Sequence, residues 1–202
     1  MDHESEQDSQ KKPVSSTSWR SALEWIATLA VAILIALGIH QFLFRQYIVD
    51  GISMVPTLQN GERLLIDRIP YYFGPPKRGD IIVFRAPQQF APQGQDWVKR
   101  VIGLPGDTIQ VKNGQLYLNG KLVPEPFING PMIKSRPFGP EKVPPGDIFV
   151  MGDNRNVSLD SRIIGPIKIS SVIGRVDLVF WPPGKFQVIG TTQEHYLPQG
   201  AP

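Results

Sequence analysis

The chain has 202 residues, with 21 lysines and arginines against 18 acidic residues, a formal charge of +3 and no cysteine. That charge is too mild, and too free of basic runs interleaved with aromatics, for a nucleic-acid surface, though it suits an anionic lipid surface. Without cysteine there is no thiol nucleophile, disulfide framework or thiolate metal site, and the three scattered histidines leave no His-x-x-x-His zinc pair.

Residues 1–20 are rich in Ser, Gln, Asp, Glu and Lys. They bury too little apolar surface to offset ordering entropy and read as a disordered tail. From Trp25 to Phe44 follow twenty residues without formal charge, about 30 Å as a helix, which matches a bilayer core. A single transmembrane helix over 21–45 is the natural reading, with Trp19, Trp25, Phe42, Phe44 and Tyr47 as interfacial rings and His40 and Gln41 near the far headgroups. A cleaved secretory signal would have an apolar region of only about 7 to 15 residues and a small-x-small end. A buried soluble helix would carry one apolar stripe, whereas here every face is apolar. Lys11, Lys12 and Arg20 favour a cytoplasmic N-terminus, against the contrary contributions of the acidic residues before them and of Arg45.

Beyond Arg45 the apolar runs shorten to strand length, at 64–66, 81–84, 98–102, 109–111, 116–118, 148–150 and 176–181. Asn113-Gly114 between two of them, with Asn119-Gly120 close behind, predicts a hairpin with tight turns. Residues 70–78 and 87–95 read as exposed loops, 124–146 as a proline-rich connector or inserted loop, and 191–202 as a flexible tail. The expected fold is mainly β: a compact antiparallel sheet or barrel-like domain over 46–190 behind one N-terminal transmembrane helix.

Ser53 lies nine residues past Phe44, within about 30 Å of the span even if the linker is extended. Serine needs a base, and a Ser-His-Asp triad would have to draw on His3 in the leader, His40 in the span or His195 in the tail. Lysine is the alternative, provided that its pKa falls from about 10.4 to near working pH, a cost to the ammonium of about 3 to 4 kcal/mol. Lys99 has flanks suited to that burial, since Trp97, Lys99 and Val101 share one strand face. Taken alone, Lys99-Arg100 reads equally well as the polar side of a half-buried strand, and residues 152–162 as a polar turn with Asx and Ser caps.

Four blocks in order decide between these readings. They are Ser53-Met54-x-Pro56-Thr57-Leu58, then Gly61-Glu62 with Asp67-Arg68, then Lys99 through Asp107, and finally Gly152-Asp153-Asn154-Arg155-Asn156-x-Ser158-x-Asp160-Ser161-Arg162. Together they closely resemble the type I signal peptidases, over most of residues 20–182. The resemblance implies a membrane-bound serine endopeptidase that removes N-terminal signal peptides from exported preproteins after Ala-x-Ala-like sites, with no metal or organic cofactor. Ser53 would be the nucleophile and Lys99 the general base. Ser158 would hydrogen-bond the Lys99 amine, with Asp160 and Arg162 as a supporting ion pair, and Asp153, Asn154 and Arg155 would serve as turn and scaffold residues. The Ser53 N–H would supply one oxyanion donor. Some relatives add a hydroxyl two residues before the nucleophile, where this chain has Gly51, which serves either the turn or a backbone donation.

An extended peptide would lie between residues 47–53, including Ile52, and residues 96–99, including Asp96, Trp97 and Val98. Its partners would be signal peptides and the lipid bilayer, and its catalytic domain would lie on the extracytoplasmic side of a plasma or thylakoid-type membrane. Met54 and Trp181 each read either as lipid-facing or as core. A non-catalytic alternative is a membrane-anchored β-barrel that binds peptides or envelope partners.

Overall fold

Leucine and alanine, both strong helix formers, dominate α1 (Thr17–Leu43), a helix of 27 residues. The computed structural model describes residues 17–128, 130–133 and 136–189, the side chains of 17, 18, 36, 37 and 39–44 excepted. A helical unit ends at Phe42 and a β-rich unit begins at Leu43. Helix α1 takes in 17–20 from the expected tail, whose residues 1–16 lie outside the described ones, as does the expected tail at 191–202. Among the described residues no helix is long and apolar enough to cross a membrane. The uncharged run at 25–44 continues through positions, His40 and Gln41 among them, whose side chains lie outside that description.

Phe44 and Arg45 open strand β1 (Phe44–Ile48) rather than closing the helix. The cause is a distant partner, β2 (Arg63–Asp67), with five antiparallel pairs from Phe44–Asp67 to Ile48–Arg63. After β2 come α2 (Pro70–Phe73), β3 (Ile81–Arg85), β4 (Asp96–Gly103), β5 (Thr108–Lys112), β6 (Gln115–Leu118), β7 (Lys121–Leu122) and β8 (Phe138–Lys142). The chain continues through β9 (Asp147–Met151), α3 (Ser161–Ile164), β10 (Ile167–Lys168), β11 (Val172–Trp181) and β12 (Gln187–Val188).

The described strands form two antiparallel sheets. One runs β1-β2-β11-β3-β4-β9-β10 with β12 on β11, and the other runs β7-β6-β5-β8. The larger sheet ends at β1 and β10, so the expected barrel closure is not seen among the described residues.

Period-two alternation explains why several strands read as unbroken apolar runs. On β3, Ile81 and Val83 enter a core with Leu64, Ile66 and Met54, while Ile82 and Phe84 face the opposite way, into a second core with Val101, Ile148 and Val150. On β9, Phe149 and Met151 join a third core with Ile102, Ile109 and Leu116 under the smaller sheet. A strand buried on both faces is held rigidly, and β4, the neighbour of β3 and β9, carries Lys99.

At the β5–β6 turn, Asn113 and Gly114 both have positive φ, 54° and 77°, which matches the twist of the flanking strands. The proline-rich stretch at 124–146 contains a strand that its composition hides. β8 pairs with β5 through Thr108–Lys142 and Val111–Phe138, and Pro140 is tolerated because β8 lies at the sheet edge. The expected loop at 70–78 includes α2, whose Tyr71 hydroxyl donates to Asp80.

Gly103 ends β4 where the two sheets meet. A Cβ there would lie 2.8 Å from Ile109 Cδ1 and 3.1 Å from both Phe149 Cβ and Val143 Cγ2. Gly103→Ala is expected to destabilise the β-rich unit by about 1 to 3 kcal/mol through overpacking, read as a lower denaturation midpoint.

Candidate active site

Ser53 sits on a turn just beyond β1, which ends at Ile48. Gly51 has φ of 100° with open space where a Cβ would stand, so the requirement is a dihedral rather than room. Its N–H donates to Asn60 Oδ1 at 2.8 Å, so Gly51 serves the turn and its amide is already engaged. Met54 and Leu58, 1% and 0% exposed, anchor the next turn in the core, which decides Met54 in favour of packing. Trp181 is 49% exposed. From the far side, Asn154 N–H donates to the Ser53 carbonyl at 2.9 Å and Asn154 Nδ2 to the Ile52 carbonyl at 3.2 Å.

Lys99 Nζ lies 2.9 Å from Ser53 Oγ and 3.0 Å from the Val98 carbonyl, and 5.7 Å from the centroid of the Trp97 ring. The lysine is 5% exposed. Burial pulls its pKa from 10.5 down to about 8, against the opposing pull of the Asp160 and Asp153 carboxylates. Loss of hydration penalises the ammonium more than the distant carboxylates restore it.

Ser158 is buried, but its hydroxyl has no hydrogen-bond partner among the described residues. The expected bond from Ser158 to the Lys99 amine is therefore not formed; the amine meets Ser53 and the Val98 carbonyl instead. Gly152 lies between these elements, because any Cβ there would collide with Ser158 Oγ and the Ser53 carbonyl. Asp160 and Arg162 form a two-pronged ion pair, both contacts at 2.8 Å. The same carboxylate accepts the Gly152 N–H at 3.1 Å and caps α3 by accepting the Arg162 N–H.

Asp153 and Arg155, expected as turn residues, carry more than the turn. Asp153 pairs with Arg100, both side chains almost wholly buried, at 2.6 and 2.8 Å, and accepts the Thr57 hydroxyl at 2.5 Å. Arg155 pairs with Glu125 and donates Nε to the Gly152 carbonyl. The Arg100–Asp153 pair joins β4 to the segment after β9, and Thr57 ties in the turn after Ser53. Asn60, Glu125 and Phe127 escaped the sequence reading, as did the part played by Thr57, which the sequence shows only as a member of the block at Ser53. Their partners lie 9 to 96 residues away for Asn60 and Thr57, and nothing local in Pro124-Glu125-Pro126-Phe127 indicates a buried ion pair.

A cleft of about 320 Å³ runs to Ser53 and Lys99, bounded by Tyr47 to Ile52 on one side and by Asp96, Trp97 and Val98 on the other, with Leu64 and Val83 also lining it. The Tyr47 hydroxyl donates to Asp96 Oδ2 at 3.0 Å although β2, β11 and β3 separate their strands, so the sheet curls to bring its two walls together. Burial, then Asp96, pushes the Tyr47 hydroxyl above its ordinary pKa. Ile52 and Val157 stand exposed at the rim, each over half accessible. The arrangement pairs a hydroxyl with a buried amine among the residues that line this cleft.

A family model described as signal peptidase, peptidase S26, matches residues 22–181. A signal peptidase I from Bacillus caldolyticus is 43% identical over 168 residues, covering 77% of this chain and 90% of that protein. Signal peptidase I S from Bacillus subtilis strain 168 is 42% identical over 175 residues, 81% of this chain and 91% of its own length. A signal peptidase I crystal structure from Enterococcus faecalis V583 is 32% identical, covers 51% of this chain and 97% of that one, and superposes with a TM-score of 0.39.

The buried lysine has a thermodynamic signature independent of any reaction. Between pH 8 and 10.5 the unfolded chain binds the extra proton, so stability rises with pH across that window, and below it the buried ammonium costs about 3 kcal/mol. Lys99→Met is expected to raise stability at neutral pH by about 1 to 3 kcal/mol and to abolish that rise, as measured by chemical denaturation at several pH values.

Proposed function

The chain belongs to the signal peptidase family, peptidase S26, and from that membership we propose that it is a serine endopeptidase that removes N-terminal signal peptides from exported preproteins by a Ser53–Lys99 dyad. The observation that carries this reading is the 2.9 Å approach of the Lys99 amine to the Ser53 hydroxyl, with the lysine pKa drawn down to about 8 by burial. A neutral amine at that distance can accept the hydroxyl proton as Oγ attacks the scissile carbonyl. The Ser53 N–H donates to the resulting oxyanion. As the tetrahedral intermediate collapses, the Lys99 ammonium returns its proton to the departing amine of the mature protein, leaving the signal peptide esterified to Ser53. Lys99 then takes a proton from water, which attacks the ester, and gives that proton to Ser53 Oγ as the acyl–oxygen bond breaks, so the peptide leaves with a free carboxylate and the hydroxyl and neutral amine are restored.

An extended substrate lies in the cleft between 47–53 and 96–99, where the backbone edges pair with it and alternate side chains face the small spaces beside Ser53. Narrow spaces favour Ala-x-Ala. Ser158, with Asp160 and Arg162 beneath it, supports the Lys99 side of the site. Helix α1 would extend about 40 Å at its 27 residues, and with the uncharged run 25–44 it serves as the single membrane anchor. Its N-terminus is cytoplasmic, by the basic residues preceding it, and the β-rich unit extracytoplasmic. Residues 46–190 constitute the peptidase domain.

Cleavage of a preprotein with an Ala-x-Ala site by detergent-purified protein tests the dyad. Ser53→Ala and Lys99→Ala are each expected to lower kcat/KM on the order of 10⁴-fold while remaining folded. Survival of activity in Lys99→Ala would show that another group is the base. Because the lysine must be neutral to act, wild-type kcat/KM should climb through about pH 8. Asp160→Asn removes a charge that favours the ammonium, so its rising limb should move to lower pH, and a limb unmoved or shifted upward would refute that electrostatic role.

A further inference from the structure

The segment between β7 and β8 reaches beneath the nucleophile with two side chains. Glu125, whose side chain is 4% exposed, pairs with Arg155 Nη1 at 2.5 Å. Burial pushes its carboxyl up from its ordinary pKa, and Arg155 opposes that shift. Phe127 lies with its ring centroid 4.1 Å from the Arg100 guanidinium carbon and 5.9 Å from that of Arg155. Each of these arginines holds part of the frame around Ser53: Arg100 binds Asp153, which receives the Thr57 hydroxyl, and Arg155 binds the Gly152 carbonyl. Asn154, between Asp153 and Arg155, donates its N–H to the Ser53 carbonyl.

We infer that Glu125 and Phe127 are positioning residues for Ser53, fixing the Arg100 and Arg155 guanidiniums that hold residues 152–155 and Thr57 around the nucleophile. Arginine carries several rotatable bonds, and a ring face and a carboxylate each restrict the guanidinium to one orientation. Neither residue lines the substrate cleft. Their contribution therefore falls on the geometry of attack rather than on substrate binding, because displacement of a nucleophile by a fraction of an ångström slows reaction without weakening association. The inference rests on the Ser53–Lys99 reading.

The test uses the full chain in detergent with the Ala-x-Ala preprotein, comparing Phe127→Leu, Phe127→Trp, Glu125→Gln and Ser53→Ala. Phe127→Leu keeps apolar bulk but loses the ring face, and its kcat should fall about tenfold or more with KM within about twofold. Phe127→Trp, which restores a face, should recover most of that loss. Glu125→Gln should reproduce the fall in kcat. Equal losses in Phe127→Leu and Phe127→Trp would mean simple packing, and a rise in KM at constant kcat would mean a binding role; either overturns the inference, as does wild-type kcat in both Phe127→Leu and Glu125→Gln. If Phe127→Leu does not fold, kcat of Glu125→Gln decides. Cleavage by Ser53→Ala would overturn the dyad and the inference with it, whereas an inactive Ser53→Ala beside unaffected Phe127→Leu and Glu125→Gln would overturn the inference alone.

Discussion

A lysine amine held out of water against a serine hydroxyl is the constraint around which the β-rich unit is organised. Burial lowers the lysine pKa only where the surrounding strands cannot open, and β4 has that rigidity because it lies in the sheet between β3 and β9, both packed on two faces. Trp97, two positions before Lys99, places its ring beside the amine. A surface lysine at the same distance would stay charged.

The neighbourhood of that amine is nonetheless crowded with charge. Asp153 and Asp160 both act to keep the lysine protonated, and each is answered at hydrogen-bond distance by an arginine, Arg100 and Arg162. Pairing confines the influence of the carboxylates, so desolvation remains the larger effect on Lys99. Buried ion pairs add little net stability, and losing one partner typically costs about 3 to 5 kcal/mol because the other charge is stranded. Their value here lies in orientation: a guanidinium gripping a carboxylate at two points fixes both, and through them the backbone of residues 152–155 on which the Ser53 carbonyl rests.

Two glycines complete the frame. Gly152 lets the segment after β9 pass against the Ser53 carbonyl and the Ser158 hydroxyl, where any side chain would collide. Gly51 supplies the left-handed turn that swings the chain from β1 into the cleft, its N–H held by Asn60. One glycine is required by space and the other by dihedral, and both place the Ser53 backbone.

Local pattern was enough to read the strands at 64–66, 81–84 and 148–150, because period-two burial leaves apolar runs, and the hairpin at Asn113-Gly114, because positive φ at two successive positions narrows the residue choice. Order and type of residue also made Ser53 and Lys99 the candidate pair, since few side chains can serve as nucleophile and base when cysteine is absent and the three histidines fall in the leader, the apolar span and the tail; that their side chains meet was not legible there. Strand β8 was hidden by its Gly and Pro, and β1 by the end of an apolar run; both exist because a distant strand offers backbone partners. The cross-cleft contact of Tyr47 with Asp96, the lack of a partner for the Ser158 hydroxyl among the described residues, and the reach of Glu125 and Phe127 to Arg155 and Arg100 likewise came only from tertiary structure. Local sequence encodes periodicity, turn dihedrals and chemical capability, whereas the distance between two side chains far apart in the chain, and the water excluded between them, are properties of the packed whole.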